Sequence, residues 1–227
     1  MGAVILAAGR SRRMDDGINK VYREVLGEPV LTHSLESFLA TDLFDEVVLV
    51  FNQEEKDLLE TKVLEPLDAK LSGIRVECVP GGDKRQDSSW AGVNVSGSDY
   101  VCIHDGARPN FSSDLVEKLI EATVEHGAAF PGVRPVDTIR ENVKGCAGGT
   151  IDRDRHVKVQ TPQCFDRQIL LDSIERAIEG NQYFTDDAGV VMEYGGIKPR
   201  VIEGERANLK ITTAEDARLI EVLMASE

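Results

Sequence analysis

Short apolar segments alternate with helical patterns along most of the chain, and this alternation limits the possible folds. Residues 3–7, 46–51, 75–79 and 100–104 read as strands. Helical patterns cover residues 29–40, 54–64, 87–95, 113–127, 166–180, 186–194 and, after a capping box at 212–215, a segment that ends near 224. Strands that alternate with helices in this way form a mostly parallel sheet covered on both faces. We therefore expect an α/β fold with a mostly parallel twisted sheet flanked by helices.

The pattern changes in the second half of the chain. Residues 128–159 are rich in Val, Thr, Arg and Gly and show no clear helix, and residues 145–149 are typical of a hairpin tip. The segment could be a β-arm that projects from the body or an ordinary antiparallel edge, and composition alone leaves both open. The length of 227 residues fits one domain, and there are no internal repeats.

Charge and composition exclude several classes of function. The net charge of −14 argues against general nucleic-acid binding and against docking on anionic membranes. No stretch is apolar enough to suggest a membrane span or a signal peptide, so we expect a cytoplasmic protein. The four cysteines form no CxxC pair and predict free structural thiols, with Cys78 and Cys102 in the core. The histidines have no zinc-ligand spacing.

The first strand runs directly into a loop that is suited to an anion. Residues 6–14 read LAAGRSRRM, with Lys20 shortly after. The small residues let the backbone approach a ligand, and exposed N–H groups in such a turn can bind phosphate oxygens. The loop lacks both the G-x-G-x-x-G fingerprint and the Walker A pattern. It therefore predicts a phosphate or nucleotide site at the carboxyl end of the first strand, where open α/β sheets place ligands.

Two further motifs follow later strands. GGDKRQDS, residues 81–88, places two glycines at a strand end and offers Asp87 or Ser88 as a helix cap. HDGARP, residues 104–109, places a carboxylate where magnesium or a ribose could be held, and Arg108 is kept extended by Pro109. A plain turn, a helix cap and a surface salt bridge are the alternative interpretations of these motifs.

Taken together and in order, the motifs resemble the 2-C-methyl-D-erythritol 4-phosphate cytidylyltransferase family. The ordered elements are LAAGRSRRM, Lys20, GGDKRQDS, HDGARP, VDT, DR, TPQCF, TDD and NLKIT. The first element and Lys20 are shared with many sugar-nucleotide transferases, whereas GGDKRQDS, HDGARP and TPQCF in this order are more specific. The resemblance implies a Rossmann-like nucleotidyltransferase fold with a protruding β-arm. It also implies transfer of CMP from CTP to 2-C-methyl-D-erythritol 4-phosphate in isoprenoid precursor biosynthesis, giving CDP-methylerythritol and pyrophosphate.

The resemblance implies a role for each matching residue. Arg13 and Lys20 would stabilise the transition state, and Arg153 and Lys210 would orient the nucleophile. The nucleotide would be bound by Ala7, Ala8, Gly9, Lys20, Gly81, Gly82, Asp83, Ser88 and Asp105. The sugar phosphate would be bound by Asp105, Arg108, Thr138, Arg153, Thr185 and Lys210. Asp105 would also be the protein ligand of Mg²⁺ or another divalent cation.

Members of this family are homodimers with interlocking β-arms, so residues 134–158 would contact a second copy and supply it with Thr138 and Arg153. The chain departs from the family pattern at Asn19, where proline is usual, and at residues 154–157, where a Gly-Leu-Trp run is common. The altered arm leaves ribitol 5-phosphate or another polyol phosphate open as the acceptor. A catalytically inactive CTP-binding regulatory module is the alternative outside enzymes.

Overall fold

The computed structural model describes residues 1–9 and 19–225. The strands are β1 (Gly2–Leu6), β2 (Glu24–Val25), β3 (Glu28–Pro29), β4 (Glu46–Phe51), β5 (Arg75–Pro80), β6 (Tyr100–Asp105), β7 (Ala128–Val133), β8 (Ile139–Val143), β9 (Cys146–Ile151), β10 (Lys158–Val159), β11 (Gln163–Asp166) and β12 (Arg200–Glu203). The α-helices are α1 (Val30–Leu39), α2 (Lys56–Leu59), α3 (Glu65–Leu67), α4 (Arg85–Val95), α5 (Ser113–His126), α6 (Arg167–Glu179), α7 (Asp187–Tyr194) and α8 (Ala214–Met224). A π-helical segment, Glu60–Leu64, joins α2 to α3.

The main sheet is built around β1, which pairs in parallel with β4 on one side and with β6 on the other. Strand β5 continues the parallel arrangement beyond β4. On the far side, β11 runs antiparallel between β6 and β7, and β12 pairs in parallel with β7. The predicted mostly parallel α/β sheet is therefore confirmed, with the antiparallel β11 as an addition that the apolar pattern did not indicate.

Two apolar cores cover the two faces of the sheet. Successive residues of a strand point to opposite faces, so Ala3 and Ile5 of β1 join one core and Val4 joins the other. Helices α1 and α5 cover the first face, with Phe38 and Leu119 fully buried. Helices α4 and α6 cover the second face, where α4 approaches β1 so closely that a Cβ at Gly92 would lie 2.4 Å from Val4.

Helix boundaries follow local capping chemistry. The α4 helix begins two residues before the predicted start because the Asp87 carboxylate accepts a hydrogen bond from the Lys84 backbone N–H. The capping box of α8 lies one residue later than predicted, on Thr213 and Asp216. The Asp216 carboxylate accepts from the backbone N–H groups of Thr212 and Thr213, which fixes the start of the helix.

Within the segment 134–158, β8 and β9 form a two-stranded antiparallel sheet of their own. Their turn is at Lys144 and Gly145, which both have positive φ, so residues 146–149 belong to β9 and not to the hairpin tip. The flanking β7 and β10 pair within the main sheet. No helix in the described ranges is long and apolar enough to cross a membrane.

The cysteine prediction is wrong for three of the four residues. Cys102 of β6 and Cys164 of β11 lie directly opposite each other in the antiparallel pair, with Cα atoms 4.1 Å apart, and form a disulfide. The sequence did not reveal this pair because β11 was not recognised as a strand. Cys78 is a free thiol but is exposed, because β5 is the edge strand and not part of the core. Cys146 is free and exposed.

At the end of the sheet opposite the strand carboxyl termini, Glu46 is a buried carboxylate that ties β4 to the turn after α4. It accepts hydrogen bonds from Ser96 Oγ at 2.6 Å, from Ser98 Oγ at 2.8 Å and from the Gly97 N–H at 3.0 Å. Arg75 lies 3.1 Å from the same carboxylate. Burial alone would raise the pKa of Glu46, but these donors and Arg75 outweigh it and lower the pKa.

We expect the Glu46→Gln protein to be about 2 kcal/mol less stable than the wild type at neutral pH, because an amide nitrogen would then face hydrogen-bond donors. A carboxylate with a lowered folded pKa stabilises the fold above the unfolded value, near 4.5, and loses this contribution as the pH falls through the folded pKa. Urea unfolding at neutral and acidic pH measures both effects. The two proteins should converge in acid; a difference in stability that does not change with pH would contradict this account.

Candidate active site

The carboxyl ends of β1, β4, β5 and β6 surround a pocket of about 870 Å³. Among the predicted nucleotide-site residues, those that line it are Ala8, Gly9, Lys20, Gly81, Gly82, Asp83, Ser88 and Asp105. Ala7 lies just below, buried, with its N–H donating to the Val50 carbonyl at 2.7 Å. Arg13 falls outside the described residues. The loop after β1 and the loop after β5 therefore form one concave surface.

Glycine is required at the bottom of this pocket because two backbone segments meet there. A Cβ at Gly81 would lie 2.3 Å from the Cβ of Ala8 and 2.7 Å from Ser88 Oγ. The Gly82 N–H donates to Ser88 Oγ at 3.2 Å, and the hydroxyl of Ser88 donates to the Lys84 carbonyl. Ser88 thus closes the loop on itself, and the small residues of both loops allow them to pack against each other.

The Asp105 carboxylate, at the end of β6, is held by three cations. Lys210 Nζ lies 2.8 Å from Oδ2, and Arg85 Nε lies 3.2 Å from Oδ1. Arg108 Nε lies 3.6 Å from Oδ2. Burial alone would raise the pKa of Asp105, but the neighbouring cations reverse the effect and hold the pKa far below its ordinary value. Asp105 is therefore ionised at neutral pH.

A second, smaller pocket of about 220 Å³ adjoins the first. Arg85, Asp105 and Lys210 line both pockets and so form the wall between them. The predicted acceptor residues Arg108 and Thr185 line the smaller pocket. The arrangement can hold two ligands side by side with cations at their junction.

The arm residues are not part of either pocket in this chain. Within the described parts of the molecule, neither Thr138 nor Arg153 lines the two cavities. Both are exposed, and the Arg153 guanidinium donates to the Val136 carbonyl. The structure thus brings together Asp105, Arg108, Thr185 and Lys210 but leaves the two arm residues outside the site of their own subunit.

The donor set around Asp105 contains a single carboxylate with cations on both oxygens. The described residues contain no group of three or more His, Cys, Asp or Glu side chains that could hold a metal ion. Mg²⁺ is commonly bound by one or two carboxylates together with substrate phosphates. The residues present therefore fit an ion that arrives with a nucleotide and takes most of its ligands from the phosphates.

Sequence reasoning missed Arg85, although the residue lies within the GGDKRQDS motif. Arg85 is the first residue of α4 and bonds two carboxylates, those of Asp105 and Asp187. The residue pattern of this motif indicated roles only for the two glycines and for the helix-capping residues. The available signal was a cation at the start of a helix that follows a strand end, which places its side chain at the ligand edge of the sheet.

Sequence reasoning also missed a hydrogen-bond chain beneath Asp105. His104 is fully buried, and its Nε2 lies 2.9 Å from the Arg108 carbonyl oxygen. That carbonyl can only accept, so Nε2 carries the proton and Nδ1 accepts from the hydroxyl of Thr161 at 3.0 Å. Thr161 Oγ in turn accepts from the Asp105 N–H at 3.1 Å. The chain fixes the backbone at Asp105.

We expect His104 to remain a neutral imidazole with its proton on Nε2 from neutral pH down to about pH 4. Burial lowers the pKa of His104 to about 3, and protonation of Nδ1 would break the bond that it accepts from Thr161. Imidazole ¹⁵N spectroscopy of the selectively labelled protein measures both the charge and the tautomer. A proton on Nδ1, or titration near pH 6, would contradict the assigned chain.

Comparison with known proteins agrees with this geometry. The sequence model of the family described as 2-C-methyl-D-erythritol 4-phosphate cytidylyltransferase matches residues 1–226. A protein of that name from Clostridium botulinum Eklund 17B is 38% identical over 226 residues, which cover 99% of both chains. One from Geobacillus kaustophilus is 37% identical and covers 99% of this chain and 96% of its own.

Solved structures give the same result for the fold. The 4-diphosphocytidyl-2C-methyl-D-erythritol synthase of Anaerococcus prevotii superposes with a TM-score of 0.85 at 27% identity, over 99% of this chain and 97% of that one. The 2-C-methyl-D-erythritol 4-phosphate cytidylyltransferase of Thermus thermophilus superposes with a TM-score of 0.79 at 27% identity, over 98% of both chains. The match extends over the whole sheet and both pockets, and the chain belongs to the 2-C-methyl-D-erythritol 4-phosphate cytidylyltransferase family.

Proposed function

We propose that this chain transfers CMP from CTP to 2-C-methyl-D-erythritol 4-phosphate, giving CDP-methylerythritol and pyrophosphate. The observation that carries the proposal is the wall of Arg85, Asp105 and Lys210 shared by two adjoining pockets. The larger pocket suits the nucleotide, with small residues at its base, and the smaller suits a phosphorylated polyol. Both substrates are multiply charged and would be supplied in the cytoplasm.

The reaction is an in-line attack by an acceptor phosphate oxygen on the α-phosphorus of CTP. This oxygen is already anionic at neutral pH, so the reaction needs no general base. The barrier comes from repulsion between two anions and from charge that grows on the α-phosphoryl group and the leaving pyrophosphate. Lys20 and Arg13 would stabilise that charge, and Lys210 with Arg108 would position the acceptor at the shared wall.

We further propose that Mg²⁺ accompanies the nucleotide and that Asp105 would hold it. When bound, the ion supplies positive charge to the triphosphate. Lys20 and Lys210, which both line the larger pocket, would bind and orient the two reacting phosphate groups. Asp105 contributes an ionised carboxylate that is already in place.

The acceptor side is completed, in this proposal, by the arm of a second copy. Thr138 and Arg153 are exposed on the arm and lie outside both cavities of their own chain. The arm also exposes apolar side chains that water solvates poorly, namely Val136 at 59%, Val143 at 54% and Val157 at 36%. A homodimer through this arm would cover these valines and bring Arg153 to the partner's small pocket.

We expect CTP with 2-C-methyl-D-erythritol 4-phosphate to release pyrophosphate faster than any other pair of substrates. The measurement is pyrophosphate release for four nucleoside triphosphates against methylerythritol, ribitol and glycerol phosphates. Lys20→Ala should lower kcat by roughly 10²–10³ because one fixed cation is lost. Preference for ribitol 5-phosphate would reassign the acceptor, and CTP binding without pyrophosphate release would indicate a regulatory module.

The arm proposal predicts that two inactive variants restore activity when mixed. When the Lys20→Ala and Arg153→Ala proteins are mixed in equal amounts and exchange subunits, the mixture should recover about a quarter of wild-type activity. Half of the dimers then contain one subunit of each variant, and one of the two sites in each such dimer is intact. Each variant alone provides the control. If Lys20 and Arg153 act within one subunit, the mixture would show no more activity than the two variants measured separately.

A further inference from the structure

We propose that Arg85, anchored by Asp187, is a positioning residue that fixes Asp105 and, through it, Lys210 for the transfer. This assignment rests on the proposed reaction and concerns two residues to which the sequence motifs gave no role. Arg85 begins α4, and Asp187 begins α7, so one side chain links the nucleotide side of the site to the helix that follows Thr185.

The Arg85 guanidinium bonds two carboxylates at once and so forms a bridge between them. Its Nε lies 3.2 Å from Asp105 Oδ1, and its NH1 nitrogen lies 2.7 Å from Asp187 Oδ2. The two bonds use different nitrogens of one planar group, so the guanidinium sets the separation and orientation of the two carboxylates. A lysine at this position has one nitrogen and could not hold both carboxylates in the same arrangement.

The bridge determines which oxygen of Asp105 remains for Lys210. Arg85 bonds Oδ1, and Lys210 Nζ bonds Oδ2 at 2.8 Å. Without Arg85 the carboxylate could rotate and Lys210 could bond either oxygen. The Lys210 ammonium, which lines both pockets, would then no longer have one fixed place at their junction.

Asp187 has no contact with either pocket that would give it a direct role. It is 1% exposed and is absent from the lining of both cavities. Asp105 and Asp187 both attract Arg85, and this attraction outweighs burial and raises the pKa of the guanidinium. The side chain of Asp187 therefore reaches the site through its bond to Arg85.

The hydrogen bonding of Arg85 is incomplete, which is unusual for an arginine with a purely structural role. Its NH2 nitrogen is buried and has no hydrogen-bond partner among the described residues. A buried donor without a partner lowers stability, and an arginine with only a structural role would be expected to pair it. The side chain is placed where it serves Asp105 and Asp187 even though its third nitrogen is left without a bond.

The test compares Asp187→Asn and Arg85→Lys with the matched control Arg75→Lys. Arg75 also contacts two carboxylates, Glu46 at 3.1 Å and Glu77 at 3.3 Å, but at the opposite end of the sheet. We expect both site variants to lose up to ~10²-fold in kcat with a raised KM for the acceptor, whereas Arg75→Lys should keep the wild-type values. The double variant should lose no more than the worse single variant, because the two residues act as one unit.

A second measurement does not depend on the reaction. Reductive methylation of Lys210, followed by mass spectrometry, should be severalfold faster in Asp187→Asn than in the wild type and unchanged in Arg75→Lys. Folded Asp187→Asn protein with wild-type kcat, or with wild-type Lys210 reactivity, would overturn the proposal. A comparable loss of kcat in Arg75→Lys would also overturn it. A wild type that releases no pyrophosphate would refute the proposed reaction. The methylation rates alone would then test whether Asp187 and Arg85 hold Lys210 in place through Asp105.

Discussion

The buried carboxylate of Asp105 must be balanced by cations, and this requirement holds the site together. Burial of an unpaired charge costs several kcal/mol, so the end of β6 is stable only with Arg85, Arg108 and Lys210 around it. Arg85 and Lys210 come from segments 20 and 105 residues away along the chain. One ion cluster thus fixes the start of α4 and the segment before α8 against the sheet.

The parallel sheet makes this convergence possible. Strand β1 has β4 on one side and β6 on the other, so the chain changes direction across the sheet at β1. In open α/β sheets, the loops on the two sides of such a point separate and leave a crevice at the carboxyl ends of the strands. Gly81 packs against Ala8 at the base of that crevice, and Asp105 lines its side. Topology therefore provides the cavity, and the ion cluster provides its chemistry.

Local signals in the sequence were sufficient for the parallel half of the fold and for the nucleotide pocket. The apolar run 47–51, with Glu46 before it, defines β4 residue for residue, because a strand buried on both faces is apolar at nearly every position. The antiparallel β11 was not recognised because it is four residues long and its pairing is set by contacts distant in sequence, and the Cys102–Cys164 disulfide was missed with it. The Arg85–Asp187 pair was missed for the same reason, because the two residues are 102 positions apart in the sequence.

The distribution of charge explains how a chain of net charge −14 can present a site for anions. Asp105 and Asp187 are the carboxylates of the cluster, against Arg85, Arg108 and Lys210, which leaves one net positive charge. The other charged residues that line the larger pocket, Lys20 and Lys84 against Glu54 and Asp83, cancel. Carboxylates on the rest of the surface are screened beyond about 8 Å at physiological salt. The two carboxylates of the cluster hold the cations in fixed positions without neutralising them. A triphosphate entering the pocket therefore meets cations that are already oriented, so little reorganisation is needed when charge develops at the phosphorus.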